Sequence, residues 1–214
     1  IMAIDPSGRG ADRTTYAVVK HLYGYLYVTD VGGFSGGYSD NTLIKLAKVA
    51  RDQNVNGVLI ESNFGDGMFT KLFTPILNRY HKCTLEEVRH HTQKELSIID
   101  TLEPVMMRHR LIMNYDVIRK DLQEYLRDDN KYLQHSLFYQ MTRITKDRGA
   151  LKHDDSIDVL AMAVRYWVDS MARDEKVAEE DFRENVINEE LQVFMEHVVG
   201  GNRGGAVDDL RVKF

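Results

Sequence analysis

The spacing of apolar and polar positions changes period several times along this chain, and each change marks an element. Ile1-Met2-Ala3-Ile4 is an unbroken apolar run that stops at Asp5. Pro6 to Asp12 then carries a proline and two glycines, which is turn chemistry. Thr14 to Lys20 and Tyr23 to Val31 are rich in β-branched and aromatic residues, with His21 to Gly24 as the short connection. Together with the first run they predict an antiparallel three-strand meander. From Asn41 to Asp52, Leu43, Leu46, Ala47 and Ala50 recur at helical spacing, with Ser39 or Asp40 available as a cap. Gly57 to Glu61 is too uniformly apolar for a half-exposed strand, so it predicts a central parallel strand covered on both faces. It too ends in an acid.

A second helix is predicted over Gly67 to His81, on Phe69, Leu72, Phe73, Ile76 and Leu77, and another strand over Thr84 to Arg89. Lys94 to Arg108 and Tyr115 to Leu126 read as helices, while Tyr132 to Thr145 fits helix or strand. From Asp155, the positions Ile157, Leu160, Ala161, Val164, Trp167, Val168 and Met171 trace one helical stripe, the mark of a core-packed helix. Beyond Asp174 a narrower stripe of Ile187, Leu191, Phe194 and Val198 lies on an acidic segment that Gly200 to Gly205 interrupts. That segment fits either a helix packed on the domain or a flexible peptide for a partner. The expected organisation is a domain over residues 1–173 and an acidic segment, helical then flexible, over 174–214. Because Ile1 already lies in a strand pattern with no Met before it, the chain reads as a domain of a longer polypeptide.

With 214 residues, 43% hydrophobic and 29% charged, the chain can build one good core. No apolar run nears the roughly 18 residues of a membrane-spanning helix, and no basic stretch followed by an apolar signal opens the chain, so no membrane partner is expected. One cysteine, Cys83, permits no internal disulfide and no CxxC pair, and reads as structural. The net charge of -5 changes meaning once it is located. Residues 174–214 hold eleven acids and five bases, a net of -6, which leaves +1 for residues 1–173. Bases then cluster near the strand-end acids: Arg9 and Arg13 after Asp5, and Lys146, Arg148, Lys152 and His153 before Asp155. A solvated surface of mixed charge has the same composition.

The candidate chemistry lies in the acids at element ends. A carboxylate closing an apolar strand is costly to bury without a partner, water or a cation. Hard divalent cations take oxygen ligands, one or two carboxylates per ion with waters and phosphate oxygens completing the shell. Two ions about 3.5–4 Å apart stabilise both the attacking and the leaving oxygen of a phosphoryl displacement. Acids in a first helical turn are also favoured by the helix dipole. A cap, however, explains only one of Asp154 and Asp155, and Asp158 sits one turn further on the same face. No glycine-rich phosphate loop ending in Lys-Ser or Lys-Thr occurs, and no G-x-S-x-G elbow. His90 and His91 are adjacent and point apart, and His153 merely precedes the Asp pair, so spacing pairs no histidines for a zinc hydrolase. By elimination the carboxylates carry any catalysis.

The element order, three antiparallel strands, then helix, parallel strand, helix, strand and a terminal helix, suggests an α/β ribonuclease H-like mixed sheet flanked by helices. Three stretches resemble the nuclease domain of the large terminase subunit of tailed bacteriophages. They are Ala3-Ile4-Asp5-Pro6-Ser7-Gly8-Arg9-Gly10-Ala11-Asp12-Arg13-Thr14, Ile60-Glu61-Ser62-Asn63-Phe64-Gly65-Asp66-Gly67, and His153-Asp154-Asp155-Ser156-Ile157-Asp158-Val159-Leu160-Ala161. The likeness runs from Ile1 to about Met171, with Cys83 to Arg148 following only in pattern.

That resemblance implies a metal-dependent endonuclease cutting concatemeric double-stranded DNA during genome packaging, with two Mg²⁺ or Mn²⁺ ions. It implies Asp5, Glu61 and Asp155 as catalytic metal ligands, Asp158 and Asp12 as further ligands, and Asp154 as the last choice. Arg9, Arg13, Lys94 or Lys152 would hold the DNA backbone, without base readout. The implied partners are the portal protein, the small terminase subunit and an ATPase domain absent from this chain. The implied setting is the host cytoplasm at the procapsid portal. Three rival readings begin from the same residues. An actin-like ATPase would need a second phosphate loop and domain. A Holliday-junction resolvase or transposase shares the fold and acids. A non-catalytic domain would dock through its acidic tail.

Overall fold

The computed structural model describes residues 1–7, 13–62, 67–89, 93–127 and 132–200. The apolar run after Ile1 forms β1 (Met2–Asp5), followed by β2 (Thr14–Leu22) and β3 (Tyr25–Phe34). These three pair antiparallel in succession, as the meander pattern predicts. The β2–β3 connection is tighter than expected, because Tyr23 and Gly24 both take positive φ (51° and 77°) in a two-residue turn. Then come α1 (Asp40–Asp52), β4 (Gly57–Glu61), α2 (Met68–Tyr80), β5 (Thr84–Val88), α3 (Lys94–Met107), β6 (Leu111–Met113) and α4 (Tyr115–Arg127). A 3-10 turn (Leu133–His135), α5 (Leu137–Arg143) and α6 (Asp155–Gly200) complete the described chain.

The six strands make one sheet in the order β5-β4-β1-β2-β3-β6. β4 joins β1 in parallel and β5 joins β4 in parallel, so β4 lies inside the sheet with every residue buried, as its uniform apolarity predicts. β6 pairs parallel with β3 and was not anticipated. Three residues are too few to show a period. The Tyr132 to Thr145 ambiguity resolves into the 3-10 turn and α5.

Strand alternation sorts the core. Met2, Ile4, Tyr16, Val18, Val58 and Ile60 point to one face and pack with Leu43, Leu46, Ala47 and Ala50 of α1 and Phe69, Phe73 and Leu77 of α2. α6 reaches the sheet through β2: Trp167 Nε1 donates to the Val19 carbonyl (2.9 Å), beside the register shift between Val18 and Val19. Arg165 of α6 donates to Ser97 O and Thr101 Oγ1 (both 2.9 Å), which ties α3 to the same helix. Ser39, not Asp40, caps α1, accepting from Thr42 N at 3.4 Å.

Residues Ile1–Val168 form one compact unit and Asp169–Phe214 a second. In the second, the described residues continue α6 without interruption to Gly200, and Val177, Phe182, Ile187 and Leu191 are exposed. Among the described residues, no helix is long and apolar enough to cross a membrane.

Candidate metal centre

The parallel register that sets Ile4 beside Ile60 carries the next residues, Asp5 and Glu61, out of the same end of two neighbouring strands. Backbone hydrogen bonding therefore fixes their spacing before any side chain acts. Asp5 is half-buried and Glu61 buried. The loop after Asp5 is pinned at its base, where Ser7 N donates to Thr14 Oγ1 at 3.1 Å. After Glu61 the chain enters α2 through Gly67 at φ +75°, where an added Cβ would lie 2.9 Å from Glu87 Oε1. Only glycine fits that turn without strain.

The third carboxylate comes from α6, whose start is held by several hydrogen bonds. Asp154 O accepts from Asp158 N (2.9 Å), so Asp154 is the capping residue. The side-chain acceptor for the third amide of the helix is instead Gln140 of α5, buried, whose Oε1 accepts from Ile157 N at 2.9 Å. Thr15 Oγ1, on β2 opposite Asp5, donates to Asp155 O at 3.2 Å. Capping of that amide therefore explains none of the acids in this turn.

Asp5, Glu61 and Asp158 each present a carboxylate oxygen, and these oxygens all lie within 4.8 Å of one another. Burial drives the Asp5 pKa well above the usual carboxylate range, and Glu61, Asp158 and Asp155 push it the same way, with Lys94 opposing. Lys94 Nζ sits 3.0 Å from both Asp154 Oδ1 and Asp158 Oδ2. Burial alone would lower the Lys94 pKa, but Asp158 and Asp154 outweigh it, so the ammonium stays charged above its ordinary range. Three oxygen donors that repel one another, with an ammonium already drawn to the edge of the group, suit a hard divalent cation.

The trio within reach of one ion includes Asp158, which the sequence ranks as a further ligand behind Asp155. Positions 155 and 158 are both in the first turn, and sequence alone could not say which would aim at β1. Asp155 acts on Asp5 through its charge, while its carboxylate oxygen lies within 4.8 Å of ring nitrogens of His135 and His153. Asp154 is engaged with Lys94. Of the bases expected to hold a backbone, Lys94 is committed to these acids. Arg13 Nη2 donates to Gly33 O (2.7 Å) and Glu124 Oε2 (3.2 Å), bracing β3 against α4. Lys152 is exposed, and Asp12 and Arg9 lie outside the described residues. Gln140, Thr15 and His135 escaped the sequence reading, since each gains its role only through contacts distant in the chain.

A family model described as the ribonuclease H-like domain of bacteriophage T7 terminase matches residues 4–111. A curated relative, the terminase large subunit of Enterobacteria phage T3, is 46% identical over 193 residues, covering 90% of this chain and 33% of that protein. The chain thus spans about a third of that relative's length. Among solved structures, the human cytomegalovirus terminase nuclease domain, Mn soaked and inhibitor bound, aligns with a TM-score of 0.53 at 13% identity. The alignment covers 77% of this chain and 80% of that one. This likeness concerns the fold.

Proposed function

The chain belongs to the family of terminase ribonuclease H-like domains, and on that footing we propose that it is a divalent-metal-dependent endonuclease cutting concatemeric double-stranded viral DNA during genome packaging. The observation that carries this reading is the convergence of Asp5, Glu61 and Asp158 from two strand ends and one helix start. Mg²⁺ or Mn²⁺ bound there would activate a water for attack on phosphorus and offset charge on the phosphate and leaving oxygen.

The chain's own residues do the rest. Asp5 and Glu61 keep a fixed separation because the β1–β4 ladder sets it. Asp158 closes the trio from a helix turn held by Gln140 and Thr15. Lys94 supplies positive charge at the trio's rim and can pass from Asp158 to a backbone phosphate once the carboxylate turns to a cation. Exposed Lys152, three residues before the start of α6, is a further base proposed to hold the DNA backbone. The proposed partners are DNA, an ATPase domain, the portal protein and the small terminase subunit, at the procapsid portal in the host cytoplasm.

The test is cleavage of linear duplex DNA by the purified chain in Mg²⁺ or Mn²⁺. Asp5→Asn and Asp158→Asn should each lose at least about a hundredfold in rate, several kcal/mol of barrier. Undiminished cleavage by either folded variant sinks the assignment. Selective cutting of four-way junctions would move it to a resolvase.

A further inference from the structure

Beside the carboxylate trio lies a second group with different chemistry. His135 ends the 3-10 turn, His153 lies in the segment before α6, and Asp155 opens α6. One ligand atom from each, two imidazole nitrogens and a carboxylate oxygen, all lie within 4.8 Å of one another. The two rings lie in tilted contact, with centroids 4.3 Å apart and planes at 41°. Their positions are held by structure: Ser156 Oγ donates to His135 O at 2.9 Å, locking the 3-10 turn onto the first turn of α6. The residue that makes this bond directly follows Asp155.

We propose that His135, His153 and Asp155 form a binding site for a borderline divalent transition ion such as Co²⁺ or Zn²⁺, adjoining the all-oxygen trio. All three residues are half-buried, so an ion there keeps access to water or substrate. Two imidazoles and one carboxylate with open positions are a donor set that transition ions accept and Mg²⁺ does not favour. Donors about 2.1 Å from one ion lie at most roughly 4.2 Å apart, so closing the site needs shifts of only a few tenths of an ångström. The geometry gives Asp155 nitrogen-bearing partners and distinguishes the two neighbouring positions by ligand softness, one of oxygens alone and one mixed. The inference rests on the nuclease reading only for Asp155's place beside the trio, and the two can fail separately.

Co²⁺ titration of the intact chain, followed by visible absorption, tests it. A nitrogen-containing site of low coordination gives intense d–d bands, whereas oxygen-ligated six-coordinate Co²⁺ gives weak ones. The intense bands should appear in the unsubstituted chain, persist in Asp5→Asn, and disappear in His153→Ala and in Asp155→Asn. Calorimetry with Zn²⁺ should lose one site per chain in His153→Ala. His153→Ala decides the matter because its half-buried ring precedes the helix, and circular dichroism verifies its fold. Weak bands in the unsubstituted chain, or intense ones that survive His153→Ala, overturn the proposal. If Mg²⁺-dependent cleavage is present in that case, the nuclease reading stands alone. A His153-dependent band in a chain that cuts no DNA leaves the transition-ion site standing without it.

Discussion

Asp5 is the residue on which function and stability oppose each other. Its raised pKa means that the folded state keeps a proton at pH values where the unfolded chain releases it. Stability of the metal-free protein therefore rises as pH falls through the folded value and levels off below the unfolded one. Asp5→Asn should abolish this rise and increase the metal-free melting temperature at neutral pH, by about 2–4 °C per kcal/mol gained. The same variant should lose the stabilisation that a saturating divalent ion gives the unsubstituted chain, about 2.7 kcal/mol at a hundred times Kd. Thermal melts with and without Mn²⁺ at two pH values check both. Lys94→Met makes the converse prediction: with no ammonium 3.0 Å from Asp158, metal-free stability falls and calorimetric affinity for Mn²⁺ rises. Weaker Mn²⁺ binding by that variant would show that Lys94 assists the ion rather than competing with it.

At the scale of elements, the helices are linked by borrowed caps. Asp121 of α4 accepts from Leu137 N (2.9 Å) and Phe138 N (3.2 Å) at the start of α5, and Gln140 of α5 accepts from Ile157 N at the start of α6. Asp155 and Asp158 thus owe their place to a side chain of the preceding helix. Gln140→Ala leaves the buried Ile157 amide without that acceptor and should cost about 1–3 kcal/mol, read as a lower melting temperature. It should also reduce cleavage, though it removes no ligand. The sequence showed clearly the strands that end in acids, because apolar runs and their stops are local. β6 had too few residues to show, and Gln140 is one polar residue in a segment of mixed pattern. The choice between Asp155 and Asp158 depended on how α6 is rotated against β1. Packing sets that rotation, through Thr15 and Gln140, and no periodicity records it.

For the whole molecule, charge is divided along the chain: +1 over residues 1–173 and -6 over 174–214. Residues 174–192 of α6 are all exposed and carry eight acids against two bases. A chain ending at Arg173 should therefore keep its metal-dependent melting and bind duplex DNA more tightly at low salt, since fewer acids oppose the phosphates. Loss of folding on this truncation would show that the long helix is needed by the sheet. Ile4 of β1 is aligned with Ile60 of β4. Side chains alternate along a strand, so a slip of one residue between β1 and β4 would turn Asp5 to the opposite face from Glu61. A bound ion is in that sense a gauge of strand alignment. In a refolded sample, the fraction of molecules that take up Mn²⁺ at this site counts those whose central strands have met in the native frame.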